Sequence, residues 1–202
     1  MFTKELYQAA LPHARALGIE PAALLAVIEV ESAGVTGATV KGRTEPVIRW
    51  EGHYFDRRLS GNDRQRARAE GLAHPNAGAI KNPKSQEARW AMLTRAAEIN
   101  SVAAFESASY GIGQVMGAHW QWLGYPSVAS LVNTARSGIA GQIELMVRYI
   151  DKAGLTGALK RQDWAAFARG YNGAAFAKHG YHTKLAAAYA RYSQIVRSGD
   201  VD

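Results

Sequence analysis

The sequence of 202 residues contains no cysteine, and this absence excludes several kinds of site. Without thiols the chain has no disulfide, no thiolate metal site and no cysteine nucleophile. A chain of this length can bury one sizeable hydrophobic core, so packing alone is expected to stabilise the fold. We therefore predict a single domain over residues 1–202.

Long apolar runs are also missing. The longest, Pro21 to Val30, is interrupted by Glu29, and it is shorter than the about 18 apolar residues that a membrane span needs. The first residues, Met1 to Gln8, include Lys4 and Glu5 and lack the apolar segment of a signal peptide. The sequence therefore predicts no stable insertion into a membrane, and synthesis in the cytoplasm.

Metal-binding and nucleic-acid-binding patterns are absent as well. The six histidines lie far apart and show no HExxH spacing, so no metal and no cofactor are expected. Lys and Arg number 24 against 17 Asp and Glu, which gives a net charge of +7. These charges form no dense block and no zinc-finger or RNA-recognition signature. A basic surface still favours an anionic partner, and we expect one other than nucleic acid.

Along most of the chain, apolar residues recur at helical spacing. Residues 3–17 carry apolar positions at that spacing, with Gly18 as a stop. Pro21 suits the first position of a second helix, apolar nearly all round, that ends near Ala33 with Gly34 as its stop. Further helices are predicted over 85–99, near 103, and over 111–122, 127–134, 137–152, 163–171 and 183–196, with N-caps at Ser85 and Asp163.

Two segments between these helices have a different character. Residues 35–60 contain several glycines and the β-prone pairs Thr39-Val40 and Val47-Ile48, which indicate a hairpin or an irregular lobe. Residues 61–84 are polar and rich in Gly, Asn and Pro, and we predict them to be the least ordered part. The predicted class is α+β, mainly helical, with a small β lobe.

One carboxyl group stands at the end of an apolar stripe. Glu31 follows Leu24 by seven residues and Ile28 by three, which places all three on one face of the second helix. Burial there raises the pKa of the carboxyl group. A carboxyl group kept protonated near neutral pH suits general-acid cleavage of a glycosidic bond, although a salt-bridged or helix-end glutamate fits the same pattern. Glu29 lies on a different face and is the weaker candidate.

Three further segments combine polar and aromatic residues near turns. They are Val47 to Phe55 with Glu51 and His53, Ser107 to Gly117 with Tyr110 and Gln114, and Asp163 to Gly173 with Tyr171 and Asn172. Taken singly, each is as compatible with a structural role as with ligand binding.

Together with Val30-Glu31-Ser32 and with Tyr181 to Tyr189, these segments resemble the N-acetylmuramidase domain of phage and prophage endolysins. More distantly, the pattern is similar to goose-type lysozymes and lytic transglycosylases, and it extends in order over most of the chain. The resemblance implies a lysozyme-like fold. It also implies a peptidoglycan hydrolase that cleaves between N-acetylmuramic acid and N-acetylglucosamine, with no separate cell-wall-binding domain.

The sequence departs from the family pattern at three positions. Gly52 stands where the family has Arg, Tyr110 where it has Trp, and Gly113 where it has Phe. These changes leave Glu31 in place and affect the expected contacts with sugar.

The resemblance also implies roles for individual residues. Glu31 is expected to protonate the leaving oxygen, and Glu51 to be the second carboxylate, acting as base or nucleophile from the β lobe across the substrate groove. Asp56, Glu45 and Glu106 are left as alternatives to Glu51.

Five more residues are expected to contact substrate. Gln114 and Asn172 are expected to hydrogen-bond N-acetyl groups or to hold Glu31. Tyr110 and Tyr171 are expected to offer aromatic surface to a sugar, and His53 to orient Glu51 or to bind a polar group. Core packing is the alternative for Tyr171, and a structural role is the alternative for His53.

The expected partner is peptidoglycan, whose peptide stems carry carboxylates that a basic monomer would attract. The expected place of action is the periplasm, after synthesis in the host cytoplasm and release by a holin-type protein. Two other functions are left open. One is a lytic transglycosylase that forms anhydro-muramyl products, and the other is a non-catalytic cell-wall-binding or virion protein.

Overall fold

The computed structural model describes residues 3–33 and 35–198. Its elements in chain order are α1 Lys4–Leu17, α2 Pro21–Ser32, β1 Ala38–Val40, β2 Arg43–Glu45, β3 Ile48–Trp50, α3 Gly52–Arg58, α4 Gly61–Ala69, α5 Gln86–Ile99, α6 Ser101–Glu106, β4 Ala108–Tyr110, β5 Val115–Met116, α7 Val128–Arg136, α8 Ile139–Lys152, α9 Thr156–Lys160, α10 Trp164–Asn172 and α11 Tyr181–Ser198. Short 3₁₀ turns cover Gly117–His119 and Ala174–Phe176. The mainly helical α+β class is confirmed.

Contacts divide the chain into two compact units. The first comprises the chain before residue 35 and the chain from Ile139 onward, and the second is Val35–Gly138. The five strands found among the described residues lie in the second unit, together with α3 to α7. That the whole chain behaves as one domain stays a prediction.

Helix α2 is the buried centre of the first unit. Every residue from Ala22 to Ile28 is buried, because the helix packs against both α1 and α11. Pro21 occupies its first turn, as predicted, and Ala33 closes it in the left-handed conformation with φ 49°. The predicted stop at Gly34 lies outside the described residues. No single described helix is long and apolar enough to cross a membrane, and only the pair α1 and α2, bent by 119°, passes that test jointly.

Two helix starts follow directly from their predicted caps. The Ser85 hydroxyl accepts a hydrogen bond from the Ala88 N–H at 3.2 Å at the start of α5. The Asp163 carboxylate accepts one from the Ala166 N–H at 3.0 Å at the start of α10. Each cap satisfies a backbone donor that the first helical turn leaves without a partner. Local chemistry therefore fixes where both helices begin.

The strands of the second unit form two antiparallel sheets. Strands β1 and β2 make the hairpin expected between residues 35 and 60. Strand β3 pairs with β4, and β4 pairs with β5, so that β4 is central. The helix predicted over residues 111–122 is wrong, because the backbone there turns to pair β5 with β4. Pairing within the sheet satisfies backbone N–H and C=O groups that a local helix would otherwise have satisfied.

The segment 61–84 is more ordered than its composition suggests. Helix α4, Gly61–Ala69, was missed, since its sequence is strongly polar. Ala67 is fully buried, and the neighbouring Arg68 binds the buried carboxylate of Asp56 in α3. Leu72 is also fully buried, and its carbonyl accepts a hydrogen bond from the indole N–H of Trp50. These tertiary contacts anchor a segment that lacks an apolar stripe.

Candidate active site

Glu31 lies in the last turn of α2 and is half-buried. Its Oε1 accepts a hydrogen bond from Asn172 Nδ2 at 2.9 Å. Burial raises the pKa of the Glu31 carboxyl group, and the hydrogen bond from Asn172 lowers it by less. The C-terminal end of a helix carries a partial negative charge, which further disfavours an anion at this position. Glu31 is therefore a carboxyl group that holds its proton to a higher pH than an exposed glutamate.

Asn172 is brought to Glu31 by the end of α10. Asp163 begins this helix, and Gly173, with φ 81°, ends it immediately after Asn172. The Asn172 Oδ1 atom is buried and makes no hydrogen bond within the described part of the chain. The predicted contact between Asn172 and Glu31 is present in the structure. The Oδ1 atom of Asn172 can therefore accept a hydrogen bond from another group.

Tyr171 stands beside the same carboxyl group. Its ring stacks on Phe167, with centroids 5.4 Å apart, and meets Tyr149 edge-on at 5.3 Å. Burial raises the pKa of Tyr171, and the nearby charges of Glu31 and Tyr149 raise it further. Tyr171 thus packs in an aromatic cluster next to Glu31. Sequence reasoning missed Tyr149, which belongs to no motif and reaches the site only through the packing of α8.

Glu29 lies on the other side of the last turn of α2. Its carboxylate accepts hydrogen bonds from Tyr192 Oη at 2.5 Å and from the guanidinium of Arg191, both in α11. Burial alone would raise the pKa of Glu29, but the two hydrogen bonds and the Arg191 charge lower it below its usual value. Glu29 is thus held as an anion, which agrees with its weaker candidacy as an acid.

Glu51 and His53, in the second unit, are brought together as the sequence suggested. Glu51 directly precedes α3, and its Oε1 lies 3.0 Å from Arg49 Nε. Its Oε2 lies 3.5 Å from His53 Nδ1, and that buried nitrogen makes no hydrogen bond with any described residue. The Arg49 side chain is 63% exposed, so this ion pair is weak. The carboxylate of Glu51 is only loosely held.

The three alternatives to Glu51 are held more firmly by cations. Asp56 accepts two hydrogen bonds from Arg68 at 2.6 and 2.9 Å, and these bonds lower its pKa. Glu45 accepts two from Arg136, and Glu106 accepts one from Arg58 and one from the Trp120 indole. Each of these carboxylates joins separate elements of the second unit, which is a structural role.

Tyr110 is a core residue, which corrects the expected sugar contact. Its side chain is 1% exposed, and its hydroxyl donates to the Phe105 carbonyl at 2.9 Å. Burial raises its pKa. A ring with no accessible face cannot stack on a sugar, so Tyr110 stabilises the sheet instead.

Gln114 holds the turn between β4 and β5. Its backbone has φ 47°, its Nε2 donates to the Gly111 carbonyl at 2.8 Å, and its Oε1 accepts from Ser109 Oγ at 3.0 Å. The amide is thus engaged at both ends within the turn. A contact between Gln114 and substrate stays a prediction.

No group of three or more His, Asp or Glu side chains in residues 3–33 and 35–198 is arranged to hold a metal ion. The raised pKa of Glu31, next to an amide and an aromatic cluster, suits the transfer of a proton from this carboxyl group in the first unit. In the second unit, the chemically available group is the carboxylate of Glu51, which lies beside Arg49 and His53.

Comparisons with known proteins agree with the predicted resemblance. The sequence matches the family described as N-acetylmuramidase over residues 20–193. The crystal structure of Burkholderia AP3 phage endolysin is similar, with a TM-score of 0.81 and 35% sequence identity, and the match covers 93% of this chain and 71% of that chain. No curated protein matches. The lysozyme-like fold expected from the sequence is confirmed.

Proposed function

Because this chain belongs to the N-acetylmuramidase family, we propose that Glu31 is the general acid with which it cleaves its substrate. The chain is a glycoside hydrolase, a muramidase, and it functions as a peptidoglycan hydrolase of the phage endolysin type. One observation carries the assignment of Glu31. Burial raises the pKa of this carboxyl group, and its hydrogen-bond partner is the neutral Asn172 rather than a cation.

The reaction begins with neutral Glu31 donating its proton to the glycosidic oxygen as the bond from carbon to that oxygen breaks. The carboxylate that forms is stabilised by the Asn172 N–H, since this hydrogen bond favours the anion. Asn172 therefore strengthens its interaction as the proton leaves, which is the requirement for lowering a barrier. The buried Oδ1 of the same amide accepts a hydrogen bond from the substrate in this proposal.

Glu51 is the second carboxylate in this proposal. It either activates water, which inverts the anomeric carbon, or attacks that carbon itself, which retains the configuration. The exposed Arg49 leaves the carboxylate of Glu51 free to exchange partners, whereas Asp56 is fixed by two hydrogen bonds to Arg68. His53, whose Nδ1 lies 3.5 Å from Glu51 Oε2, is the group expected to orient Glu51 in this proposal.

The mass of the products of purified peptidoglycan tests the reaction type. Hydrolysis adds one water and leaves a reducing end, whereas a transglycosylase leaves an anhydro-muramyl end of lower mass. We expect the hydrolytic product, since the comparisons do not favour the transglycosylase. Anhydro products from the wild type would contradict the proposal. The anomer first released, followed by NMR, shows whether Glu51 acts as base or nucleophile.

Glu51→Gln tests the second carboxylate against a matched exposed control, Glu98→Gln, in the same unit. We expect Glu51→Gln to lower the rate about 10²-fold, as removal of a catalytic base does, and Glu98→Gln to leave it unchanged. Full activity of Glu51→Gln would show that another group activates the nucleophile.

The proposal extends to where and how the enzyme meets its substrate. It is made in the host cytoplasm, is released to the periplasm by a holin-type protein, and acts there as a monomer attracted to the anionic wall by its net charge of +7. Lysis should then need the holin, and binding to walls should weaken as salt is raised. Glu31→Gln that still binds walls without cleaving them would separate catalysis from wall binding alone.

A further inference from the structure

A cavity of about 370 Å³ in the Val35–Gly138 unit is lined by cationic side chains and by no acidic side chain. Its wall is formed by Arg49, Gly78, Ile80, Lys81, Asn82 and Arg89. Three of these side chains are cationic and none is acidic. A second cavity of about 390 Å³ in the same unit is different, because Glu45 and Glu87 stand there among its cations. The Arg89 cavity, as we name the first, therefore favours an anion.

Arg89 is fixed in place without losing its charge. Its Nε donates to the Pro83 carbonyl at 2.8 Å and its Nη1 to the Ile48 carbonyl at 3.0 Å. Both acceptors are neutral, and the guanidinium has five N–H donors, so donors remain for a further group. A guanidinium positioned before its ligand arrives loses little freedom on binding.

The neighbouring backbone is held by Asn82. Its Oδ1 accepts from the Trp50 N–H at 2.7 Å, and its Nδ2 donates to the Trp50 carbonyl at 2.8 Å. The side chain thereby pairs with the free edge of β3 in place of another strand, and it fixes the loop that carries Lys81. Lys81 is exposed and forms no ion pair with any described residue. Its charge is available to a ligand.

Arg49 connects the Arg89 cavity to the proposed second carboxylate. It lines the cavity, and its Nε lies 3.0 Å from Glu51 Oε1. A ligand group in the cavity is thus one side chain away from Glu51. An occupant of this cavity should carry a negative charge and lie beside the sugar on which Glu51 acts.

We propose that the Arg89 cavity binds a carboxylate of the peptide stem of peptidoglycan during cleavage of the glycan. This inference rests on the proposed function, since it places the stem beside the glycan on which Glu51 acts. The stems carry carboxylates, and each branches from the lactyl group on carbon 3 of the muramic acid whose glycosidic bond at carbon 1 is cut. Phosphates of the bacterial envelope present similar oxyanions, and they are the alternative source of a ligand for these cations.

The test compares Lys81→Gln with Lys84→Gln on two substrates. Lys84 is exposed in the same loop and does not line the cavity, so it controls for the loss of one surface charge. One substrate is native peptidoglycan, and the other is the same material with its carboxylates converted to amides by carbodiimide and ammonia. We expect Lys81→Gln to lower kcat/KM about two- to fivefold on native peptidoglycan, as for an ion pair near the surface. On the amidated substrate it should equal the wild type, and Lys84→Gln should equal the wild type on both.

Equal loss by Lys81→Gln on both substrates, or no loss on either, would overturn the proposal. A phosphate ligand is distinguished by competition on native peptidoglycan. Inhibition by inorganic phosphate, but not by stem peptides released with an amidase at the same concentration and ionic strength, would also overturn it. Failure of the proposed function looks different, because Glu31→Gln would then cleave both substrates as fast as the wild type.

Discussion

The two sides of the last turn of α2 give two glutamates opposite properties. Glu29 faces α11, where Tyr192 and Arg191 donate hydrogen bonds to its carboxylate. Glu31 faces the end of α10, where the neutral Asn172 donates a hydrogen bond. Burial disfavours the anion on both sides, yet the pKa of Glu29 is lowered and that of Glu31 is raised.

The difference shows that the partner, rather than burial alone, decides which carboxyl group can serve as an acid. Residues two positions apart on a helix lie about 200° apart around its axis, so Glu29 and Glu31 meet unrelated surroundings. A cation offsets the cost of burying a charge, whereas one amide N–H offsets only part of it. Glu29 therefore contributes to stability, and Glu31 keeps a proton to donate.

The largest expected effect separates the two residues by activity. Glu31→Gln should lower the rate of cleavage of purified peptidoglycan about 10²-fold or more, because the general acid is removed. The matched variant Glu29→Gln should stay within about threefold of the wild type, since its carboxylate donates no proton. Release of reducing ends measures both. A loss for Glu29→Gln as large as for Glu31→Gln would reverse the assignment.

The next effect concerns stability on the Glu29 side. Glu29→Gln should lower the free energy of unfolding by about 1 kcal/mol at pH 7, because two charge-assisted hydrogen bonds weaken. For a protein of this size that lowers Tm by about 2–4 °C. The folded pKa of Glu29 is lowered, so this contribution is present above the unfolded pKa and is lost as pH falls through the folded pKa. Calorimetry should find the two proteins converging in acid, and a constant difference would contradict this origin.

On the Glu31 side the same substitution should stabilise the protein. The folded pKa of Glu31 is raised, so the folded state loses stability as pH rises from the unfolded pKa through the folded pKa. Glu31→Gln carries no such charge, and its Tm should exceed that of the wild type by about 1–3 °C at pH values above the folded pKa. The two should coincide in acid, where Glu31 is protonated. A lower Tm for Glu31→Gln at every pH would indicate that the carboxylate stabilises the fold.

The smallest effect is a shift of the pH profile. Asn172→Ala removes the hydrogen bond that favours the Glu31 anion, so the pKa of Glu31 should rise further. The alkaline limb of kcat/KM should then move to higher pH, because that limb follows the pKa of the general acid. The position of the limb is diagnostic, whereas lower activity alone would also follow from lost substrate contacts. An unmoved limb would mean that Asn172 does not tune this acid.

Much of the helical framework could be predicted because its signals are local. Pro21, Ser85 and Asp163 act within one turn of their own helices, and each helix begins where the sequence indicates. Glu31 was also identified from a local signal, since helical spacing placed it on the same face of α2 as the buried Leu24.

The errors arose where distant parts of the chain meet. Val115 and Met116 form β5 because they pair with β4, which also pairs with β3 from far earlier in the sequence. The same sheet buries the ring of Tyr110, which spacing alone could not show. Helix α4 was missed because its order depends on Arg68 reaching Asp56.

By itself, the sequence determined the family, the order of most helices and the turn of α2 that carries two carboxyl groups. Only the tertiary structure decided which of them is paired with a cation and which is left with an amide, because Arg191 and Asn172 reach α2 from more than a hundred residues away. Spacing along a helix fixes the direction of a side chain, whereas its pKa depends on the groups that the fold brings to meet it.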